Sequence, residues 1–549
     1  MNRYIFAGAA LVFAPFLITS AARAQATPGY DKSVLVPPLA GTTPGTSVHG
    51  ISGMNFGKDG KLYAASVVGA GVHRIDVKTG TIEQVVLPPM GESDDVAMAS
   101  DGTLVWTAIL SGEVRARRPN GTIETLATNL PSVNPVNFAA DGRLIVGQIT
   151  RPDTLVEIDR AGKKSPRILG SDLGAINAFC SDGKNGLYVP LREKGAVGRF
   201  DLTTNTMSIV ADGFDQPVAV KRDSHGNIYT IETFTGKVVY INPESGETIK
   251  LATVSPPLDN IAIAADDTIY VSRPTDNTII AIDHETGKQT PLIQGAFSAP
   301  GGLVATQLNG RPTLLVADPF GYRFTDPVTG VTETLPFDQP ARSSTSIAAN
   351  DKLIVTSNVR NSNVVVIDKA SGRVLHTVKS FKEPMGVAVT ETGEIYVAEY
   401  GSGEILKVLP NAMPDRVRIA VDLQGPVGLG LDKAGKLVVS EAVGGTIARI
   451  DRITGQREVI AQNLMQPEGL VALADGRIVV AEVGKKQITS IDDAGATTPL
   501  ATDLPLDTFI TRTPAPVYLP TGVTVDAKGA VYVTVGGDNS LLKFTPRTN

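Results

Sequence analysis

One unit recurs through this chain with a period near 40 residues. Each copy reads as a short apolar run, a tight turn, and a second apolar run ending in a small or acidic residue. A third run with a pattern like Arg-Ile-Asp follows, then a Thr-Gly or Ser-Gly turn and a fourth run. The second runs are anchored at Leu62, Leu104, Leu144, Leu187, Ile228, Ile269, Leu314, Leu353, Ile395, Leu437, Ile478 and Val531. Ten of the eleven spacings between these anchors lie between 39 and 45 residues. The runs are too short and too rich in β-branched residues for a helical solenoid. A period near 40 with four strands per unit specifies the blades of a β-propeller. Asp-Gly pairs at 59–60, 101–102, 141–142 and 475–476 turn the chain between first and second strands. Thr79-Gly80, Thr286-Gly287, Ser371-Gly372 and Thr454-Gly455 do so between third and fourth strands.

Twelve blades exceed the roughly four to eight that fill one ring. The expected fold is therefore all-β, two tandem six-bladed propellers, spanning 41–296 and 297–549. Seven blades plus five is the alternative division. The last unit has only three strands, Gly522–Val525, Val531–Val535 and Leu541–Phe544. Ser33–Pro37, in the N-terminal segment 25–40, is a strand without a blade. It is expected to complete the last blade, hiding two edges and tying the rings together.

Residues 1–24 read as a secretory signal, with Arg3, the apolar stretch Tyr4–Ile18 and the small-x-small site Ala22-Arg23-Ala24. A periplasmic or secreted protein is expected. No later run approaches the length of a membrane-spanning helix. A net charge of −6 argues against nucleic acid as a partner. Cys180 is the only cysteine, so an internal disulfide is excluded and a buried thiol is expected.

Propeller sites draw on the loop that leads into each innermost strand. In the first half these positions are polar. They are His49 and Ser52 in blade one, Asp94 and Asp95 in blade two, Asn134 in blade three, Asn177 in blade four, and Asp259 and Asn260 in blade six. In the second half they read Gly301-Gly302, Met385-Gly386, Val427-Gly428, Glu468-Gly469 and Thr521-Gly522, with Ser344-Thr345 in blade eight. Carboxylates and amide oxygens converging from several blades are hard ligands, suited to Ca²⁺ or another hard divalent cation. Asp94, Asn134, Asn177, Asp259 and Asn260 form the expected metal set, with Ser52 and Asp95 on the substrate. His49 is the expected base. His73, His225, His284 and His376 read as solvent-facing.

The repeat resembles the NHL and senescence-marker-protein/gluconolactonase superfamily of six-bladed propellers. Several short segments of the first half are similar to the paraoxonase branch. These are Ser93-Asp94-Asp95-Val96, Ser132-Val133-Asn134, Ile176-Asn177, Leu258-Asp259-Asn260-Ile261 and His49-Gly50-Ile51-Ser52. The resemblance implies a catalytic Ca²⁺ at the bottom of a channel, acting on lactones or esters. The sequence departs from that pattern in blade one, where Ser52 replaces a glutamate. The leading expectation is an exported Ca²⁺-dependent lactone or ester hydrolase acting on a small-molecule substrate. The rivals are a non-catalytic tandem propeller that binds a protein or glycan, and a metal-dependent lyase or isomerase of a cyclic metabolite. Few aromatics (5% of residues) are available for a binding rim, which favours an enzyme.

Overall fold

The computed structural model describes residues 29–43, 46–334, 342–413, 415–506 and 519–547. The expected signal segment lies outside them. The strands form twelve four-stranded antiparallel sheets, eleven of them built from consecutive strands. The first blade comprises Ile51–Phe56, Leu62–Ser66, Gly71–Ile75 and Ile82–Val86. The turn glycines do what the sequence requires of them. Gly60, Gly102, Gly142 and Gly476 all have positive φ, between 69° and 97°.

Blades join through apolar seams between neighbouring sheets. Two seams close the rings across long sequence separations. Ile51, Met54 and Leu62 of blade one pack with Tyr270, Ile279 and Ile293 of blade six. Leu303, Leu314 and Val316 of blade seven pack with Tyr532 and Leu541 of blade twelve. The fold is thus two six-bladed propellers in tandem.

A hydroxyl relay reinforces these seams. Ser440 Oγ and Thr534 Oγ1, on second strands, each accept a backbone N–H from their own inner strand, Gly428 and Gly522, at 2.7 Å. The same hydroxyls donate to a carbonyl of the next inner strand, that of Glu468 at 2.6 Å and that of Gly301 at 2.8 Å. Thr107 and Ser272 repeat the arrangement in the first ring, toward Asn134 and Ser52. Thr534→Val would strand one buried N–H and one buried C=O. It is expected to destabilise the protein by about 1–3 kcal/mol in a denaturant titration.

The unassigned N-terminal strand runs Tyr30–Val36 and pairs antiparallel with Ser540–Pro546. It supplies the fourth strand of the last blade. Three residues beyond it, Leu39 is buried in the apolar seam that closes the first ring.

Polar groups fasten the rings to each other. Asn277 Oδ1 accepts Gly50 N–H at 2.6 Å, while its Nδ2 donates to the carbonyls of Val48, Phe297 and Ser298 at 2.9–3.0 Å. The Arg323 guanidinium, on blade seven, is buried and donates to the Thr275 carbonyl of blade six. Acids at the ends of second strands serve their own blades. Glu399, Glu441 and Glu482 accept the backbone N–H of Lys382, Gln424 and Met465, in the loops leading to inner strands, at 2.6–2.9 Å.

Candidate active site at the mouth of the first ring

Ser52, Asp94, Asp95 and Asn134 occupy a repeated defect in the sheets. The inner strand of blade two pairs Ser93 with Ala108 and Val96 with Trp106, leaving Asp94 and Asp95 opposite Thr107 alone. Blades one and three have the same bulge, at Ser52-Gly53 and Asn134-Pro135. Such a bulge bends the strand and re-aims its side chains. In the second ring the corresponding pairs are Met385-Gly386, Val427-Gly428 and Glu468-Gly469. Glycine is needed there because the next inner strand passes very close. A Cβ on Gly428 would come 2.3 Å from the Glu468 carbonyl, and one on Gly469 2.1 Å from the Thr521 carbonyl. Blade two of the first ring carries Asp95 at this position instead. Its Oδ2 crosses to blade three and accepts the Val136 N–H at 3.1 Å.

Above these bulges lies a cavity of about 750 Å³. Ser52, Asp94 and Asp259 line it from blades one, two and six, and Phe320 and Arg360 line it from the second ring. Burial pushes the Asp94 carboxyl well above the usual range; the charges of Asp259 and Asp95 add to this, and Arg360 opposes it. Burial and the charge of Asp95 push Asp259 up to about 7, against the pull of Arg192. Asp95 lies beneath, fully buried; burial pushes it up to about 6, against the opposing pull of Lys221, the Val136 N–H and the Asn260 amide. The charge of Asp259 thus raises the proton affinity of Asp94 in the same cavity, and a carboxyl raised in this way retains a proton near neutral pH.

Not every expected residue reaches this cavity. Ser52 does, but its Oγ donates to the Asp94 carbonyl at 3.0 Å, which fixes the bulge. His49 sits at the junction of the rings. Its Nε2 lies 2.5 Å from Ser47 Oγ, and its Nδ1 lies 3.0 Å from Asn539 Oδ1 and 3.2 Å from the Ser298 carbonyl. Both nitrogens are engaged and the ring does not line the cavity, so the role of base does not go with this placement. His73 is buried rather than solvent-facing; burial pushes it down to about 4, and its Nε2 is 2.9 Å from the Ser47 carbonyl. The Cys180 thiol is buried as expected, and burial pushes it up to about 12.

Of the expected calcium ligands, Asp94 and Asp259 meet at this cavity, and the asparagines make local contacts. Asn177 Oδ1 and Asn260 Oδ1 accept the N–H of the residues that follow them, at 2.9 and 2.8 Å. Asn134 contributes its carbonyl to Thr107. Among the described residues, no three His, Cys, Asp or Glu side chains gather as a metal cluster. Asp94 and Asp259 alone make a poor fit to an ion that takes six to eight oxygens.

Arg192 and Arg360 escaped the sequence reading. Arg192 lies in the short turn Arg192–Lys194 after the second strand of blade four, away from the bulge register. Arg360 belongs to the other ring altogether.

No family model and no curated protein matches the chain. Among solved structures it is similar to selenomethionine-substituted virginiamycin B lyase from Staphylococcus aureus. That match has 14% identity and a TM-score of 0.30, over 60% of this chain and 95% of that one. It is also similar to the extracellular domain of the putative hybrid two component system BT3049 from B. thetaiotaomicron, with 12% identity and a TM-score of 0.34, over 94% and 83% of the two chains. The corresponding domain of BT4673 gives 11% identity and a TM-score of 0.32, over 91% and 75%. These neighbours are propeller-like. At such scores they assign no function, and the fold rests on the sheets themselves.

Proposed function

We propose that this is an exported acid–base enzyme that opens a lactone or ester bond of a small molecule held at the mouth of the first ring. The observation that carries the proposal is the pairing of Asp94 and Asp259. They come from different blades and line one cavity, where burial raises both and the charge of Asp259 raises Asp94 further. Near neutral pH one carboxyl of the pair is ionised and the other protonated. The ionised member takes a proton from water as its oxygen attacks the carbonyl carbon. The protonated member gives its proton to the departing alkoxide oxygen as the acyl C–O bond breaks. Arg360, on the cavity wall, opposes the negative charge that gathers on the carbonyl oxygen.

The test is an assay of the full chain and its Asp94→Asn and Asp259→Asn variants against a panel of lactones and aryl esters, with and without a chelator. Turnover that survives the chelator and falls in both variants supports the proposal. Saturable binding without turnover by the parent protein contradicts it and favours the binding module. Products formed without oxygen incorporated from labelled water contradict hydrolysis and favour elimination.

A further inference from the structure

The first ring's channel has a second end, and its chemistry is the opposite of the mouth's. The inner strands start at the mouth and finish at the far side, where a separate cavity of about 240 Å³ opens. Its lining includes Asn55, Asn137, Cys180, Ser181, Lys221 and Arg222, with no carboxylate. Asn55, Asn137, Cys180 and Lys221 occupy one register. Each faces the residue just after the second-strand anchor of its blade, respectively Tyr63, Ile145, Tyr188 and Tyr229. The fold brings them to one level from four different blades.

The second ring shows that the architecture does not need them. Its residues at the same register are Val304, Ala349, Ala388, Gly430, Val471 and Thr524. All of these line that ring's own channel, and none is charged. Placing a lysine at this level is costly. Lys221 is only 7% exposed, and among the described residues its one side-chain hydrogen bond is a long one, 3.4 Å to the Phe179 carbonyl. That carbonyl already accepts from Asn137 Nδ2 at 3.1 Å. Among the described residues, neither Lys221 nor Arg222 has a carboxylate within ion-pair distance, and Asp95 acts on Lys221 only from farther off. Asn55 makes no side-chain hydrogen bond to the described residues. A buried ammonium with weak partners, beside a guanidinium and an uncommitted amide, is short of acceptors.

We infer that the far end of the first ring's channel is a binding site for a small oxyanion, held by Lys221, Arg222 and the Asn55 amide. An ammonium and a guanidinium together supply the point charge and the planar donor fork that a carboxylate or an inorganic oxyanion takes. The volume suits an anion of a few heavy atoms with its waters. This site does not depend on the reaction proposed at the mouth.

Calorimetric titration of the full chain tests it, using sodium sulfate, sodium phosphate and sodium malonate against chloride at constant ionic strength. Saturable binding of at least one of the three is expected, weakened about tenfold or more by Arg222→Gln and by Lys221→Met. Asp94→Asn, at the mouth, is expected to leave it in place. Preference for sulfate and phosphate identifies an inorganic oxyanion, and preference for malonate identifies a carboxylate. Should Lys221→Met fail to fold, Arg222→Gln and Asn55→Ala carry the test, since neither side chain is part of a core. The absence of saturable binding by the parent, or equal binding by the parent and Arg222→Gln, overturns the inference.

Discussion

Deleting residues 29–36 is expected to lower the melting temperature of the second ring by roughly 5–10 °C and to leave the first ring's transition nearly in place. The strand Tyr30–Val36 contributes a full ladder to Ser540–Pro546. Val36 is 3% exposed and packs with Phe297, Leu303, Tyr532 and Leu541. Losing that side chain alone removes about 1.5–3 kcal/mol of apolar burial. Arg547 also loses its ion pair with Asp31, but that pair is solvent-exposed and contributes little. The larger consequence is geometric. Ser540–Pro546 becomes an open edge, and the last blade loses its fourth strand. Differential scanning calorimetry separates the outcomes: an unchanged profile contradicts the closing role, and parallel loss of both transitions contradicts its assignment to the second ring.

The second large effect falls on catalysis. Asp94→Asn and Asp259→Asn are each expected to reduce kcat/KM by about a hundredfold to ten-thousandfold. Neither substitution changes side-chain volume much, so the fold is retained. Stability is expected to move the other way. Asp259 has a folded-state pKa near 7, raised above the value of an unfolded aspartate, near 3.9. Between these values the folded state binds more protons than the unfolded state, so stability falls as pH rises from about 4 through about 7. Asp259→Asn removes the share of that slope that Asp259 contributes. The variant is expected to melt a few degrees above the parent at pH 8 and to lose the advantage near pH 4. The proposed reaction gives such a carboxyl a use that folding does not.

The architecture was legible because its information is periodic. Twelve anchors and their turn glycines fix strand number, and the surplus strand Ser33–Pro37 has only one blade short of a partner. The structure extends it to Tyr30–Val36. The Asp94-Asp95 pair was legible for a related reason, since it stands where the second ring repeats x-Gly. Its physical role was not. The glycine register is a bulge with almost no room for a side chain, and Asp95 fits because it reaches into the next blade. His49 misled because its loop position suggests the channel, whereas contacts from the other ring, Ser298 and Asn539, hold it at the junction. Arg360 and Phe320 were invisible for the same reason. A side chain donated by one ring to the cavity of the other leaves no mark in either repeat.

The proposed reaction requires a carboxyl at the mouth of the first ring that keeps its proton near neutral pH. The most direct measurement is carbon-13 NMR of the protein labelled at the aspartate carboxyls, titrated from pH 3 to 9 beside Asp259→Asn. The account predicts an aspartate resonance that titrates near pH 7 in the parent and is missing from the variant. Titration of every aspartate below about pH 5 would contradict it, because an ordinary carboxylate there has no proton to give.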